Sequence, residues 1–169
     1  DIVFELIGHP DGISKKVVEI ALKNKKHVIT ANKALMAKNG DYLSFVAEKN
    51  RVNLEFEAAV GGGIPILRTI KDGLATNKIT KVVGILNGTC NYILSEMHSL
   101  KDSFKNVLKR AQNLGYAEIS NPKYDLNGND TLSKVRILSA LSFNKKISTN
   151  KCLMDGIEDI ELENMAIAD

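Results

Sequence analysis

Three acidic side chains and one lysine lie within a short, turn-rich stretch of the sequence, and their spacing could support proton transfer. Glu118, Asp125 and Asp130 supply the carboxylates, and Lys134 follows Asp130 by four residues. If a helix begins just before Asp130, these last two side chains share one face of it. Such a pairing could poise a lysine to exchange protons with a bound substrate.

The helix that would carry this pair is predicted to run from about residue 128 to residue 143. Its sequence is apolar almost all round, which is typical of a buried helix, and Asp130 and Lys134 continue a stripe with Ile137 and Leu141. Burial lowers the pKa of a lysine and a neighbouring carboxylate raises it, a balance that suits proton exchange near neutral pH. The alternative is an ordinary surface ion pair, worth about 0.3–0.5 kcal/mol, and spacing alone favours it.

The same stretch resembles the signature of the homoserine dehydrogenase family. Residues 111–134 match the pattern A-x3-G-Y-A-x3-N-P-x2-D-L-x-G-x-D-x3-K at every fixed position. One departure is visible, because three residues separate Ala117 from Asn121, where many family members have the shorter A-E-A-D-P. Residues 84–92, G-I-L-N-G-T-C-N-Y, and residues 31–33, A-N-K, add to a resemblance that covers nearly the whole chain.

The resemblance implies reversible hydride transfer between L-homoserine and L-aspartate 4-semialdehyde, with NAD(P) as the cofactor, in threonine, methionine and isoleucine biosynthesis. It implies that Lys134 is the proton donor and acceptor, and that Lys33 is its positioning partner or an alternative acid. The carboxylates of Glu118, Asp125 and Asp130 would surround the substrate ammonium. Taken by itself, Lys33 could equally be an exposed lysine at the start of a helix.

Further contacts are implied by the same resemblance. Thr89, in the N-G-T turn, would touch the substrate, and four residues would lie on the cofactor side: Gly8, Lys33, Gly115 and Glu118. From the residues alone, the N-G-T turn could simply join a strand to a helix, with Asn87 or Thr89 as the helix cap.

A glycine-rich segment, residues 60–65 (V-G-G-G-I-P), precedes another predicted helix. Such glycines usually make a tight strand-to-helix connection, and they also let carbonyl oxygens turn inward towards a cation. The resemblance implies a sodium ion bound by backbone oxygens of Glu57, Val60, Gly62 and Ile64. The sequence has no nitrogen and sulfur ligand cluster suited to a transition metal.

The predicted elements define an α/β fold: the end of a Rossmann-type parallel sheet, followed by an α+β substrate domain with a mixed sheet covered by helices. Strands are predicted at residues 1–7 (buried), 26–30, 52–58, 79–86 and 152–154. Helices are predicted from about residue 14, at 41–50, 65–75 and 104–114, and from about 158. The predicted domains are residues 1–32 (nucleotide-binding), 33–157 (substrate-binding, catalytic and dimerisation) and 158–169 (return segment).

No G-x-G-x-x-G motif follows a strand, so we expect the phosphate-binding half of the nucleotide domain to lie outside these residues, and we do not expect them to turn over substrate alone. The net charge of +3 comes from scattered residues, which disfavours a nucleic-acid partner. No apolar run is long enough to span a membrane. Without a signal-peptide pattern, and with Cys90 and Cys152 read as buried thiols, a cytoplasmic homodimer formed through the substrate-domain sheet is expected. The alternative is a non-catalytic dimerisation or substrate-binding module of a related amino-acid dehydrogenase.

Overall fold

The computed structural model describes residues 1–119, 122–145 and 151–168, and these residues group into two compact units. The first unit contains Asp1–Val82 and Ser133–Ser148, and the second contains Val83–Leu132 and Thr149–Asp169. This grouping reflects contacts within the present stretch of chain, so the domain boundaries predicted at residues 32 and 157 stay predictions.

The first unit is built on a short parallel sheet. Its elements, in chain order, are β1 (Ile2–Glu5), α1 (Ile13–Lys23), β2 (His27–Thr30), α2 (Lys33–Asn50) and β3 (Leu54–Glu55). The strand order is β1-β2-β3, with β1 and β3 both parallel to β2. Glu5 is the register partner of Thr30, so the carboxyl ends of β1 and β2 lie side by side. The predicted βαβ unit and the α/β class are confirmed.

Helix α2 begins at Lys33, earlier than the predicted start at residue 41. The reason is a local cap: the side-chain oxygen of Asn32 accepts the backbone N–H of Leu35 at 3.0 Å. This bond satisfies one of the amide groups that a helix start leaves without an intrahelical partner. The cap therefore places Lys33 in the first turn of α2, directly after the end of β2.

Two predictions for the strands of this unit were wrong in detail. The first strand was predicted to be buried, yet Ile2 is 57% and Phe4 is 64% exposed, because a parallel strand is buried only where both faces of its sheet are covered. The strand predicted at 52–58 ends at Glu55. Glu57 instead starts a 3-10 turn, Glu57–Ala59, and its carboxylate accepts the N–H groups of Leu67 and Arg68 at 2.9 and 2.8 Å.

The helix predicted at 65–75 also differs from the prediction. It is a single turn, α3 (Ile66–Arg68), followed by a π-helical turn, Thr69–Gly73. The Glu57 carboxylate, which precedes the glycine-rich segment in the sequence, accepts backbone N–H groups of α3 and so caps this turn. The core of the first unit includes the fully buried side chains Leu22, Val28, Leu35 and Leu43.

The second unit is helical. Its elements are α4 (Gly88–Leu100), α5 (Phe104–Asn113), α6 (Lys123–Leu126), the start of α7 (Asn129–Phe143, which continues into the first unit) and α8 (Leu162–Ala168). The apolar stripes of α4 and α5 meet in a buried cluster: Ile93, Met97, Val107, Ala111, Ala117 and Leu126. The predicted helices α5 and α7 are confirmed, whereas α6 falls in a stretch that was predicted to be a loop.

The strands predicted at 79–86 and 152–154 are wrong, and no mixed sheet forms among the described residues. Residues 79–86 are not helical and pair with no described strand. Val83 and Ile85 are 78% and 79% exposed. A β-branched sequence favours a strand only when another strand is available for hydrogen bonding. Among the helices of the described segments, none has both the length and the apolar composition needed to cross a membrane.

Candidate functional site

One asparagine holds two aspartates together in the second unit. The side-chain nitrogen of Asn87 donates to Asp125 Oδ1 at 3.0 Å and to Asp130 Oδ2 at 2.9 Å. The side-chain oxygen of Asn87 accepts the backbone N–H of Cys90 at 2.7 Å, which caps α4. Because the cap orients the amide oxygen, the amide nitrogen is left to face the two carboxylates.

The two aspartates form a site of negative charge that is suited to a cation. Asp130 is 1% exposed and lies in the first turn of α7, where the helix dipole stabilises a carboxylate. Asp125 lies on the short helix α6 and is half-buried. Both carboxylates accept a hydrogen bond from the same amide nitrogen, so their oxygens face one small region of the site. An ammonium group bound here would donate hydrogen bonds to the carboxylate oxygens, and their negative charge would compensate its positive charge.

The turn before α7 requires a glycine. Gly128 has φ +86°, in the left-handed region, and a Cβ atom there would lie 2.9 Å from Met154 Cγ and 3.2 Å from the carbonyl oxygen of Asp155. Gly156 faces the same strip of backbone, and its added Cβ would be 2.9 Å from the carbonyl oxygen of Leu126. This tight contact fixes the backbone from which Asp130 projects.

Thr89 and Glu118, both predicted to bind the substrate, belong to a second arrangement in this unit. The Thr89 hydroxyl donates to the carbonyl oxygen of Tyr116 at 2.6 Å, and the rings of Tyr92 and Tyr116 stack with centroids 4.5 Å apart. Gln112 Nε2 donates to the carbonyl oxygen of Glu118 at 3.2 Å. These contacts hold residues 115–118 against α4 and α5.

The Glu118 side chain itself is exposed, and it lies outside the hydrogen bonds that join Asn87 to the two aspartates. Gly115, at φ +79°, ends α5 and starts the loop that carries Glu118. The Thr89 hydroxyl hydrogen is directed at Tyr116, so a direct contact between Thr89 and a substrate would use the hydroxyl oxygen.

The two lysines predicted to be catalytic lie in the first unit. Lys33 is the half-buried first residue of α2, at the carboxyl edge of the sheet, where open α/β sheets place ligand chemistry. Lys134 is half-buried on α7, one turn after Asp130 on the same helix. Asp130 and Lys134 therefore lie four residues apart on one helix, as predicted.

A buried carboxylate is hydrogen-bonded to the end of β2, just before Lys33 in the sequence. Glu5, at the end of β1, is 1% exposed and accepts hydrogen bonds from the Thr30 hydroxyl at 2.7 Å and the Ile7 backbone N–H at 2.8 Å. Asn32 Nδ2 also donates to Glu5 Oε1, at 3.4 Å. Burial raises the pKa of the Glu5 carboxyl, but the hydrogen bonds from Thr30, Ile7 and Asn32 outweigh burial and hold that pKa below its ordinary value.

The residue before this lysine, Asn32, is tied to the loop after β1. Asn32 Nδ2 donates to the carbonyl oxygen of His9 at 2.7 Å, next to Gly8, which was predicted on the cofactor side. Gly8 has φ +91° and is exposed. The loop that contains Gly8 and the start of α2 are thus joined by one asparagine side chain.

The segment predicted to bind sodium is a glycine turn with two positive φ angles, at Gly61 and Gly63. Two of the four carbonyl oxygens assigned to the ion already accept backbone hydrogen bonds. Those of Glu57 and Ile64 accept the N–H groups of Val60 and Ile66, at 3.3 and 2.8 Å. A carbonyl has two lone pairs, so this use leaves each oxygen able to contact a cation. Backbone oxygens are hard ligands and fit a monovalent cation chemically. Among the described residues, no cluster of His, Cys, Asp and Glu is suited to a metal.

Two functional candidates were missed from the sequence. Asn87 was considered only as a helix cap, and Glu5, inside the first predicted strand, was given no role. For Glu5 the signal was present, because a carboxylate inside an apolar strand must find hydrogen-bond donors if it is buried. For Asn87 no local signal existed, since its aspartate partners are 38 and 43 residues away.

The fold and these side chains define a mixed α/β protein of the class that carries ligand-binding residues at the carboxyl ends of parallel strands. The sequence model of the homoserine dehydrogenase family matches residues 65–169. A homoserine dehydrogenase of Neisseria gonorrhoeae is 45% identical over 169 residues, which is 100% of this chain and 38% of that protein. The chain therefore belongs to the homoserine dehydrogenase family.

Solved structures agree with this membership. A homoserine dehydrogenase from Thiobacillus denitrificans superposes with a TM-score of 0.94 at 43% identity, over 99% of this chain and 38% of that one. A hyperthermophilic archaeal homoserine dehydrogenase mutant, solved in complex with NADPH, shares the fold with a TM-score of 0.86 at 24% identity, over 95% of this chain and 48% of that one. The chain spans about 38% of the length of the curated relatives that it matches.

Proposed function

We propose that the full-length protein is an NAD(P)-dependent homoserine dehydrogenase, which interconverts L-homoserine and L-aspartate 4-semialdehyde. The observation that carries this proposal is the asparagine-bridged pair Asp125 and Asp130, followed by Lys134 one turn along α7. The pair is suited to the substrate ammonium, and the lysine supplies an acid and base. Membership of the family supports the same reaction.

The chemistry divides among the residues as follows. The carboxylates of Asp125 and Asp130 bind the ammonium group of homoserine, and Glu118 is assigned to the same ammonium by resemblance. In the oxidation direction, Lys134 acts as the base that takes the proton of the substrate hydroxyl, while the carbon that bears this hydroxyl loses a hydride to the nicotinamide. In the reverse direction, Lys134 returns that proton to the developing alkoxide. Lys33 orients the reacting oxygen or serves as the alternative acid.

The nicotinamide cofactor supplies and accepts the hydride when bound. Gly8, Lys33, Gly115 and Glu118 are the residues of this chain that we assign to its neighbourhood. Gly8 has no side chain and an open environment, which suits a close approach of a ligand to the backbone. Through its hydrogen bond to Tyr116, Thr89 holds the loop that carries Glu118, which supports a role for Thr89 at the substrate.

A sodium ion is also part of the proposal, bound by the carbonyl oxygens of Glu57, Val60, Gly62 and Ile64. The two positive φ angles and the all-oxygen ligand set support it. Replacing sodium with tetramethylammonium, which is too large for such a loop, is expected to lower the melting temperature of the full-length protein. An unchanged melting temperature would argue against the ion.

We further propose a cytoplasmic homodimer. Val83 and Ile85 are largely exposed in the non-helical residues 79–86, so two copies could pair these segments as strands. Cys90 and Cys152 form no disulfide, which is compatible with a reducing compartment. An Ile85→Lys variant of the full-length protein is expected to sediment as a monomer, while Ile167→Lys, at an exposed position on α8, stays dimeric.

The decisive experiment measures NAD(P)H formation from L-homoserine by the full-length protein. Lys134→Ala is expected to lower kcat by about 10²–10⁴-fold, the usual cost of losing an acid–base group. Lys109→Ala, at an exposed lysine on α5, is the matched control and should keep the wild-type rate. A folded Lys134→Ala variant with more than about a tenth of the wild-type rate would transfer the proton role to Lys33. A folded wild-type protein without any activity would contradict the proposed reaction.

A further inference from the structure

Glu5 is a buried carboxylate that the proposed chemistry leaves without a role. It is 1% exposed at the end of β1, on a strand that is otherwise apolar. Burying a carboxylate is unfavourable unless donors surround it, and an apolar residue of similar size would serve a purely structural need at lower cost. The position and partners of Glu5 therefore call for a functional reason.

A continuous chain of hydrogen bonds leads from Glu5 to the residue before Lys33. Glu5 Oε2 accepts the Thr30 hydroxyl at 2.7 Å, and the Thr30 oxygen in turn accepts the backbone N–H of Asn32 at 2.9 Å. The two steps cross from β1 to the end of β2 and then to the start of α2. The hydroxyl of Thr30 acts as donor and acceptor at once, so no apolar residue could replace it in this chain.

The backbone N–H and both polar side-chain atoms of Asn32 form hydrogen bonds. Its backbone N–H binds Thr30, its amide nitrogen binds the His9 carbonyl at 2.7 Å, and its amide oxygen caps Leu35 at 3.0 Å. The orientation of the first turn of α2 is set by these bonds. Lys33 is the next residue, so the direction in which its side chain leaves the helix follows from how Asn32 is held.

The same carboxylate organises the loop after β1. Glu5 Oε1 accepts the Ile7 backbone N–H at 2.8 Å, directly before Gly8. The Gly8 loop and the Lys33 helix start are thus anchored on two oxygens of one side chain. An acceptor without any hydrogen of its own is needed, since donors approach from both segments.

We propose that Glu5 is a positioning residue for catalysis: acting through Thr30 and Asn32, it orients Lys33 at the carboxyl edge of the sheet. The inference rests on the proposed function, because Lys33 must take part in the reaction for its orientation to matter. Displacing a reacting group by about 1 Å can lower the rate on the order of 10²-fold, so an indirect effect of Glu5 on kcat is physically reasonable.

The test uses the full-length protein and a pair of variants at Thr30. Thr30→Val keeps the shape and removes the hydroxyl, and it is expected to lower kcat for homoserine about 10- to 100-fold with KM within about 2-fold. Thr30→Ser restores the hydroxyl and should recover kcat to within about 3-fold of wild type. Equal losses in both variants, or a Thr30→Val kcat within about 2-fold of wild type, would overturn the inference.

Glu5→Gln provides the second measurement, in a double-mutant cycle with Lys33→Ala. If Glu5 acts through Lys33, the Glu5→Gln loss in kcat disappears when Lys33 is already absent. The same fold-loss in both backgrounds would mean a general structural role and would overturn the inference. If Lys33→Ala leaves no measurable turnover, the Thr30 pair decides.

A matched control comes from another hydrogen-bonded carboxylate of the same unit. Glu19 accepts hydrogen bonds from Lys23 at 2.5 Å and from Tyr42 at 2.6 Å, on α1 and away from the strand ends. Glu19→Gln is expected to keep wild-type kcat and KM.

Absence of activity in the wild-type protein would reject the proposed reaction. Activity that is lost in Lys33→Ala and retained in Thr30→Val would reject only the positioning role of Glu5.

Discussion

The side-chain amide of Asn87 donates to the carboxylate of Asp130 at 2.9 Å, and both residues are almost completely buried. The same nitrogen reaches Asp125, so a single amide group sets the spacing of two carboxylates. Since the amide oxygen is engaged in capping α4, the amide cannot turn over without losing the cap. The cap of one helix therefore determines the geometry of the acidic pair.

Asn87→Asp is expected to separate these two roles. Aspartate caps a helix as well as asparagine does, so the cap is kept and the melting temperature should not fall on that account. A third carboxylate would then replace the donor between Asp125 and Asp130, and repulsion should disorder the pair. We expect kcat/KM for homoserine to fall by at least about 10-fold, about 1.4 kcal/mol.

The control for Asn87→Asp is Asn91→Asp, one turn along α4 at an exposed position. It adds the same charge to the same helix without touching the aspartate pair. Equal kcat/KM in the two variants would show that the amide donor of Asn87 has no part in binding.

Gly128→Ala should destabilise the protein. The new methyl group would require φ near +86° in a non-glycine residue and would approach the carbonyl oxygen of Asp155 at 3.2 Å. We expect a loss of about 1–3 kcal/mol in the free energy of unfolding, measured by denaturant titration of the full-length protein. Gly73→Ala, whose Cβ meets only a Thr69 methyl group at 3.9 Å, should change stability by less than about 1 kcal/mol.

Ile93→Ala tests the core of the second unit. The Ile93 side chain is fully buried in the cluster between α4 and α5, so its truncation leaves a cavity. The expected loss is about 2–5 kcal/mol in the free energy of unfolding. Ile119, which is 80% exposed, is the matched position, and Ile119→Ala should cost less than about 0.5 kcal/mol. Comparable losses at the two sites would mean that Ile93 is not a core residue.

The stability contributed by Glu5 should depend on pH in a defined direction. Its pKa is lowered in the folded protein from an ordinary value of 4.5. Its contribution is therefore complete above about pH 4.5 and is lost as the pH falls through the lowered pKa. The difference in unfolding free energy between wild type and Glu5→Gln should be constant at neutral pH and shrink below pH 4.5.

Glu48→Gln, at an exposed position on α2, controls for the exchange of one glutamate for glutamine. Its free energy of unfolding at neutral pH should lie close to that of the wild type. If the Glu5→Gln difference grew on acidification, the hydrogen bonds to the ionised carboxylate would not be the stabilising ones.

Local patterns were enough to predict several parts of this molecule. The βαβ unit follows from apolar runs separated by an amphipathic helix. A helix cap at Asn87 or Thr89 and a helix end near residue 114 follow from residues only a few positions apart. The placement of Asp130 and Lys134 one turn apart on α7 needed only the helical period. The sequence patterns at residues 31–33, 84–92 and 111–134 were sufficient to indicate the family.

Other features depended on contacts between distant parts of the chain. Residues 79–86 have the composition of a strand, but a strand forms only with a partner, and no local pattern reports whether one is present. The joint hold of Asn87 on Asp125 and Asp130, and the path from Glu5 through Thr30 to Asn32, connect residues that are 25 to 43 positions apart. Periodicity and capping act over a few residues, whereas hydrogen bonds between buried side chains form only when the packed elements bring donor and acceptor within about 3 Å.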